Sequence, residues 1–186
     1  MNDKELTKKS KFLSLVLRHK PEKIGLNLDE KGWASVYDLT MLSKITPVEL
    51  EEIVATNNKK RFEYNSDKTK IRACQGHSID VDLQLKEIAP PVFLYHGTQI
   101  SFVKSIYKDG LNKMKRNHVH LSADRETAEK VARRRGENFA IITIASEQMH
   151  LDGFKFYKSA NGVWLTDNVP AKYIHQMEWK KAIQEE

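Results

Sequence analysis

Apolar and polar positions follow two rhythms along this chain. Over residues 4–19 the apolar Phe12, Leu13, Val16 and Leu17 recur at helical spacing, which predicts a helix with one face on a core. Pro21 disfavours helical geometry at Lys20 and ends that helix, so Arg18 and His19 fall in its last turn. The stretch GWASVYDL, residues 32–39, leads into a second short helix. A third starts with Thr46 as N-cap, Pro47 at the first helical position and Glu49 closing a capping box, and runs through Leu50, Ile53 and Val54 to about Thr56. The period then drops to two. In RFEYNSDKTKIRA, Phe62 and Tyr64 alternate with charged residues, Asn65-Ser66-Asp67 is turn chemistry, and Ile71 resumes an extended run. Three helices followed by a β-hairpin predict a winged helix.

The pattern changes after KEIAPP, residues 86–91, where the Pro90-Pro91 pair can continue neither a helix nor a central strand. This divides the chain into residues 1–85 and 86–186. In the second part, residues 92–97 (VFLYHG) read as a strand, and Thr98 as the cap of a helix ending at Asp109-Gly110. Residues 118–122 (HVHLS) alternate like a strand. Asp124 caps a helix passing through Ala128 and Val131 to Gly136. Residues 139–145 (FAIITIA) are the best candidate for a buried strand, and residues 162–166 (GVWLT) form another. Short strands separated by short helices predict an α+β fold. No glycine-rich loop follows a strand, which argues against a Rossmann domain or a P-loop.

Composition narrows the classes further. Of 186 residues, 30% are charged and 40% hydrophobic, as in globular domains. No apolar run approaches the roughly 20 residues that span a bilayer, and the first residues, MNDKELTKKSK, lack a signal peptide's apolar core. A cytoplasmic location without membrane attachment is therefore expected. The single cysteine, Cys74, excludes an internal disulfide and a cysteine-rich zinc site. A formal charge of +6 favours anionic partners.

The candidate chemistry lies in arginines and histidines. Arg18 and His19 either complement the negative end of their helix dipole or form a phosphate site. His118 and His120 flank Val119 and so share one side of a strand; a His-x-His pair reads as hydrogen-bonded imidazoles or as part of a metal site, and no third ligand lies nearby in sequence. His96 sits at a strand end in YHGT, and His77, in CQGHS, reads as a loop residue. Arg133, Arg134 and Arg135 would stand about 100° apart around a helix, a spread of about 200°, so they cannot all face one ligand. Arg72 lies in the second hairpin strand, where its fork could meet phosphate oxygens.

In order along the chain, KFLSLVLRHKP, LDEKGWASV, KKRFEY, IRACQGHS, FLYHGT, HVHLSAD, RRRGE and NGVWLT resemble the RNA 2′-phosphotransferase family, the NAD-dependent enzymes that remove an internal 2′-phosphate from RNA and are best known from tRNA splicing. The resemblance implies an N-terminal winged-helix lobe (1–85) that handles RNA and a C-terminal ADP-ribosyltransferase-like lobe (86–186) that binds NAD as co-substrate. It implies Arg18, His19, Arg72 and Arg134 as the catalytic set, with Arg134 matched in a segment often written R-H-G that here reads Arg134-Arg135-Gly136. It implies an NAD site at Tyr95, His96, Gly97, Thr98, His120, Leu121, Ser122 and Val163, the last standing where protein-modifying relatives carry a glutamate. The implied reaction has two steps: the 2′-phosphate displaces nicotinamide, giving an ADP-ribosylated RNA phosphate, and the ribose 2″-hydroxyl then releases 2′-hydroxyl RNA and ADP-ribose 1″,2″-cyclic phosphate. No metal is expected, and a monomer suffices. A winged-helix DNA regulator is the rival from another class. Its third helix should be basic, whereas PVELEEIVAT carries three glutamates and no basic residue.

Overall fold

The computed structural model describes residues 1–57 and 59–180. The chain divides into two compact units: residues 1–85 together with Lys115–Asn117, and Lys86–Met114 together with the residues from His118 on.

The first unit begins with α1 (Asp3–Arg18). Asn2 and Glu5 form a capping box there, with the Glu5 N–H donating to Asn2 Oδ1 at 2.9 Å. Leu13, Val16 and Leu17 are fully buried, and Phe12 packs partly buried beside them. The helix closes with the His19 and Lys20 N–H groups both donating to the Leu15 carbonyl, just before Pro21. A short strand, β1 (Ala34–Ser35), precedes α2 (Val36–Ser43), which Ser35 caps. The capping box of Thr46 and Glu49 forms as expected and starts α3 (Pro47–Ala55). Then β2 (Phe62–Tyr64) and β3 (Lys70–Ala73) make the hairpin, with Glu63 opposite Arg72. β1 joins the other edge of β3, giving the antiparallel order β1-β3-β2. Leu13, Leu17, Leu39, Leu50, Ile53 and Ile71 form the core that holds helices and sheet together.

In the second unit, β4 (Leu94–Gln99) leads through a 3₁₀ turn into α4 (Val103–Asp109), β5 (Leu111–Asn112), β6 (Val119–Leu121) and α5 (Arg125–Arg133). The fully buried β7 (Phe139–Ile144) follows, then α6 (Ser146–Leu151), β8 (Tyr157–Lys158), β9 (Trp164–Thr166), β10 (Asn168–Val169) and β11 (Ile174–Lys180). Among the described residues the strands form antiparallel sheets ordered β11-β7-β4, β6-β9-β8 and β10-β5. Helices and antiparallel sheets together make the chain an α+β protein.

Two sequence expectations are corrected here. Thr98 does not cap a helix: it stays in β4, opposite Ala140 of β7, and α4 begins only at Val103. The helix capped by Asp124 stops at Arg133 instead of reaching Gly136. There the Gln99 side-chain amide donates to the Ala132 carbonyl at 3.0 Å and satisfies the helix end. α5 lies so close on β4 that a Cβ on Gly97 would stand 2.0 Å from the Ala128 carbonyl oxygen. Only glycine permits that approach.

Candidate active site

The first unit gathers Arg18, His19 and Arg72 around the segment that follows β3. The Ser78 N–H donates to the Arg18 carbonyl at 2.9 Å, and the Ser78 hydroxyl meets His19 Nδ1 at 2.9 Å. Gly76 turns the chain with φ +85, so that a Cβ there would lie 3.7 Å from Arg18 Nη1. The Arg18 guanidinium is half-buried. Its Nη2 makes a long contact, 3.5 Å, to the Arg61 carbonyl, and its buried Nε has no hydrogen-bond partner among the described residues. Burial, with the neighbouring charges of Arg61 and Arg116, pushes its pKa down to about 10. It remains a cation at neutral pH, and an anion arriving there would relieve that repulsion.

Arg72 is held by three contacts. Its Nε donates to Glu63 Oε1 at 2.7 Å, its Nη1 to the Lys31 carbonyl at 3.3 Å, and its guanidinium stacks over the Trp33 ring at 4.3 Å. The Nη2 end of the fork makes no hydrogen bond among the described residues, which leaves one donor edge presented by a fixed plane.

His77 is the residue that sequence reasoning missed. It is 1% exposed, and neither ring nitrogen has a hydrogen-bond partner among the described residues. Burial, then the charges of Arg18, His19 and Arg72, push its pKa down to about 4. It is thus a neutral imidazole packed among the cations, with Gly32 against its Nε2 side. Nothing in CQGHS signals burial; the only hint was its closeness in sequence to Arg72. His19 is exposed by contrast, and partial desolvation followed by the Arg18 and Arg116 charges lowers its pKa. Cys74, buried beneath, has its thiol pushed up to about 12 by burial and Glu63, so it is not a nucleophile at neutral pH.

In the second unit the YHGT and HLS segments run side by side. Tyr95 and Ser122 exchange both backbone hydrogen bonds, at 2.9 and 2.7 Å. His96 Nδ1 meets the His120 carbonyl at 2.9 Å, which fixes the orientation of its ring. Leu121 pairs with Trp164, and Val163 directly precedes that paired residue in the chain. The residues divide between faces, because strand side chains alternate. Tyr95 packs under α5 with Ala128 and Ala132, whereas His96 and Thr98 take the opposite face of β4. Leu121 points into the core, so only its backbone is available to a ligand. His118 packs edge-on against Tyr157, 5.8 Å between centroids. Among the described residues, no group of His, Cys, Asp and Glu is placed to hold a metal.

The three arginines ending α5 separate clearly. Arg133 is engaged by Glu129 at 2.9 Å and by Glu137, and it stacks over Phe139. Arg134, the C-cap, and Arg135 are exposed and form no salt bridge among the described residues. Of the three, Arg133 is the least able to meet a ligand.

The class these features define is a two-unit α+β protein whose first unit carries a cationic site built from a helix end and a β-strand. Comparison with known proteins carries this further. The model of the RNA 2′-phosphotransferase, Tpt1 / KptA family matches residues 4–168. A probable RNA 2′-phosphotransferase of Flavobacterium johnsoniae is 57% identical over 179 residues, which covers 94% of this chain and 98% of the relative. Its counterpart in Fusobacterium nucleatum is 53% identical over 90% of this chain and 96% of its own length. One from Escherichia coli is 47% identical over 96% and 98%. The chain belongs to the RNA 2′-phosphotransferase family.

Proposed function

We propose that the protein is an NAD-dependent RNA 2′-phosphotransferase, which removes an internal 2′-phosphate from RNA. The observation that carries this reading is the clustering of Arg18, His19 and Arg72 in a chain of this family. The element order α1-β1-α2-α3-β2-β3, with a hairpin after three helices, supports a winged-helix RNA lobe in the first unit. The second unit is read as an ADP-ribosyltransferase-like lobe that takes NAD.

The donor set of the second unit fits that ligand. Tyr95, His96, Gly97, Thr98, His120, Leu121, Ser122 and Val163 include no carboxylate. They offer hydroxyls, imidazoles and backbone amides, suited to a pyrophosphate and to ribose hydroxyls. When bound, NAD supplies the anomeric carbon that accepts the phosphate and the neighbouring hydroxyl that releases it from RNA.

The protein's own residues do the rest. Arg18 and Arg72, both charged at neutral pH, grip the 2′-phosphate and stabilise the charge that builds on its oxygens. Arg134 is read as the third guanidinium of the set. A phosphate is already a nucleophile, so orientation contributes more to the first transfer than a base does. His19 titrates below the ordinary histidine value, so at neutral pH its imidazole can accept the proton of the hydroxyl that attacks phosphorus. Ser78, bonded to Nδ1, orients that ring.

The test is a short RNA with one internal 2′-phosphate, incubated with and without NAD, following the RNA and the nucleotide products together. Loss of the 2′-phosphate only with NAD, with an ADP-ribose cyclic phosphate appearing, is expected. Removal of the phosphate without NAD would overturn the reading, as would intact substrate alongside a folded, NAD-binding protein.

A further inference from the structure

From the Arg18–His19 pair a groove of about 670 Å³ runs back along α1. Ser10, Lys11 and Ser14 line its helix side, and Asn57, Lys59 and Arg61 line the side facing them. Not one Asp or Glu lines it among the described residues, although the chain carries 25. Some cations of this unit are paired with carboxylates: Lys9, on another face of α1, pairs with Glu49, and Lys70 with Asp29. Lys11 has no such partner among the described residues.

Asn57 ties the two sides of the groove together. Asn57 Nδ2 donates to the Ser10 hydroxyl at 3.1 Å, which ties the loop after α3 to α1. Asn57 Oδ1 accepts from the Lys59 N–H at 3.2 Å, the Arg61 N–H at 3.3 Å and Arg61 Nη1 at 3.4 Å. The Ser14 hydroxyl donates to the Ser10 carbonyl at 2.9 Å. The arrangement is a channel with hydroxyl and amide groups whose charged side chains, among the described lining residues, are all basic.

We propose that this groove binds the single-stranded RNA flanking the 2′-phosphate, with Lys11, Lys59 and Arg61 on its phosphodiesters. This rests on the reading of Arg18 and His19 as the pair that receives the 2′-phosphate. The length suits it: Lys11 lies about 10 Å along the helix from Arg18, a span of about three nucleotides at the ~3.4 Å rise of a stacked strand. A strand anchored at Arg18 by its 2′-phosphate must continue past it, and this groove offers a path with no like charge. The chain would then recognise a stretch of RNA backbone and not the modified nucleotide alone.

The test compares two substrates: an octanucleotide with one central 2′-phosphate, and a dinucleotide with the same internal group. Lys11→Glu with Lys59→Glu is expected to raise KM for the octamer about tenfold more than for the dinucleotide, with kcat on the octamer held. The salt dependence of octamer binding should flatten by about 0.7 in log–log slope for each phosphate that the variant no longer neutralises. Equal changes in KM for both substrates would overturn the inference. Binding of an octamer lacking the 2′-phosphate, followed by fluorescence anisotropy, reads the groove without the reaction. Equal affinity for wild type and variant there would also overturn it, as would a poly-glutamate peptide that competes as well as the RNA. If that affinity falls in the variant while wild type turns over neither phosphorylated substrate, the groove assignment stands and the proposed activity fails.

Discussion

Replacing His77 with leucine separates the charge of this residue from its volume. In the fold the imidazole is buried without a hydrogen-bond partner among the described residues and has a pKa of about 4, whereas an unfolded histidine titrates near 6.5. Between those values the unfolded chain binds more protons, so stability rises with pH across the window. The contribution is complete above about pH 6.5 and is lost as pH falls toward 4. The difference between the two values corresponds to about 3 kcal/mol, of which about 2.5 kcal/mol has gone by pH 4.5. Leucine carries no such penalty and leaves no buried polar nitrogen unsatisfied. His77→Leu should therefore match wild type within about 1 kcal/mol at pH 7 and exceed it by about 2 kcal/mol at pH 4.5. Native-state hydrogen exchange at the amides of Ile71 and Ala73, both buried in β3, reads the opening of the first unit alone. Parallel stability–pH profiles for the two proteins would refute the reasoning.

Four further outcomes are expected. Arg72→Lys keeps the charge but loses the fork and the stack on Trp33, so kcat should fall roughly a hundredfold in steady-state assays with a 2′-phosphorylated RNA. His19→Asn should lower kcat by about 10²–10⁴ and abolish an acidic limb of the pH–rate profile, whose midpoint in wild type lies below the ordinary histidine value. Gly97→Ala drives a Cβ into the Ala128 carbonyl and should destabilise the second unit by about 2–3 kcal/mol in urea denaturation. Thr46→Ala removes one half of the α3 capping box and should cost about 1 kcal/mol in urea denaturation of the first unit, with kcat unchanged.

Local rules carried much of the fold. The Thr46–Glu49 box, the Asn65–Asp67 turn and the uninterrupted apolar run of β7 are decided by neighbouring residues, and each was legible in the chain. Thr98 misled because its hydroxyl has cap chemistry, while pairing with β7 extends the strand through it. β11 was invisible for a different reason. Its residues IHQMEWK are mostly exposed on an edge, and a strand held by backbone bonds to one neighbour needs no apolar alternation. In the site, the types Arg18, His19 and Arg72 stood out in sequence, but their environments did not. The Trp33 stack on Arg72 and the hydrogen bond of Ser78 to His19 join residues far apart in the chain. The same holds for the groove, whose lack of carboxylates among the described residues appears only once the loop after α3 is laid beside α1.

The first unit borrows three residues, Lys115–Asn117, from well beyond its own stretch of chain. The Asn117 N–H donates to the His77 carbonyl at 3.2 Å, and its side-chain amide to the Ile79 carbonyl at 3.1 Å. During synthesis, residues 1–85 leave the ribosome with the 77–79 segment still lacking both bonds, and its fastening waits until position 117 has been made. Cutting a gene fragment at residue 85, where the proline pair invites it, therefore yields a piece with two carbonyls left open beside the candidate phosphate site. A fragment meant to fold and bind as the first unit does has to carry that distant tripeptide as well.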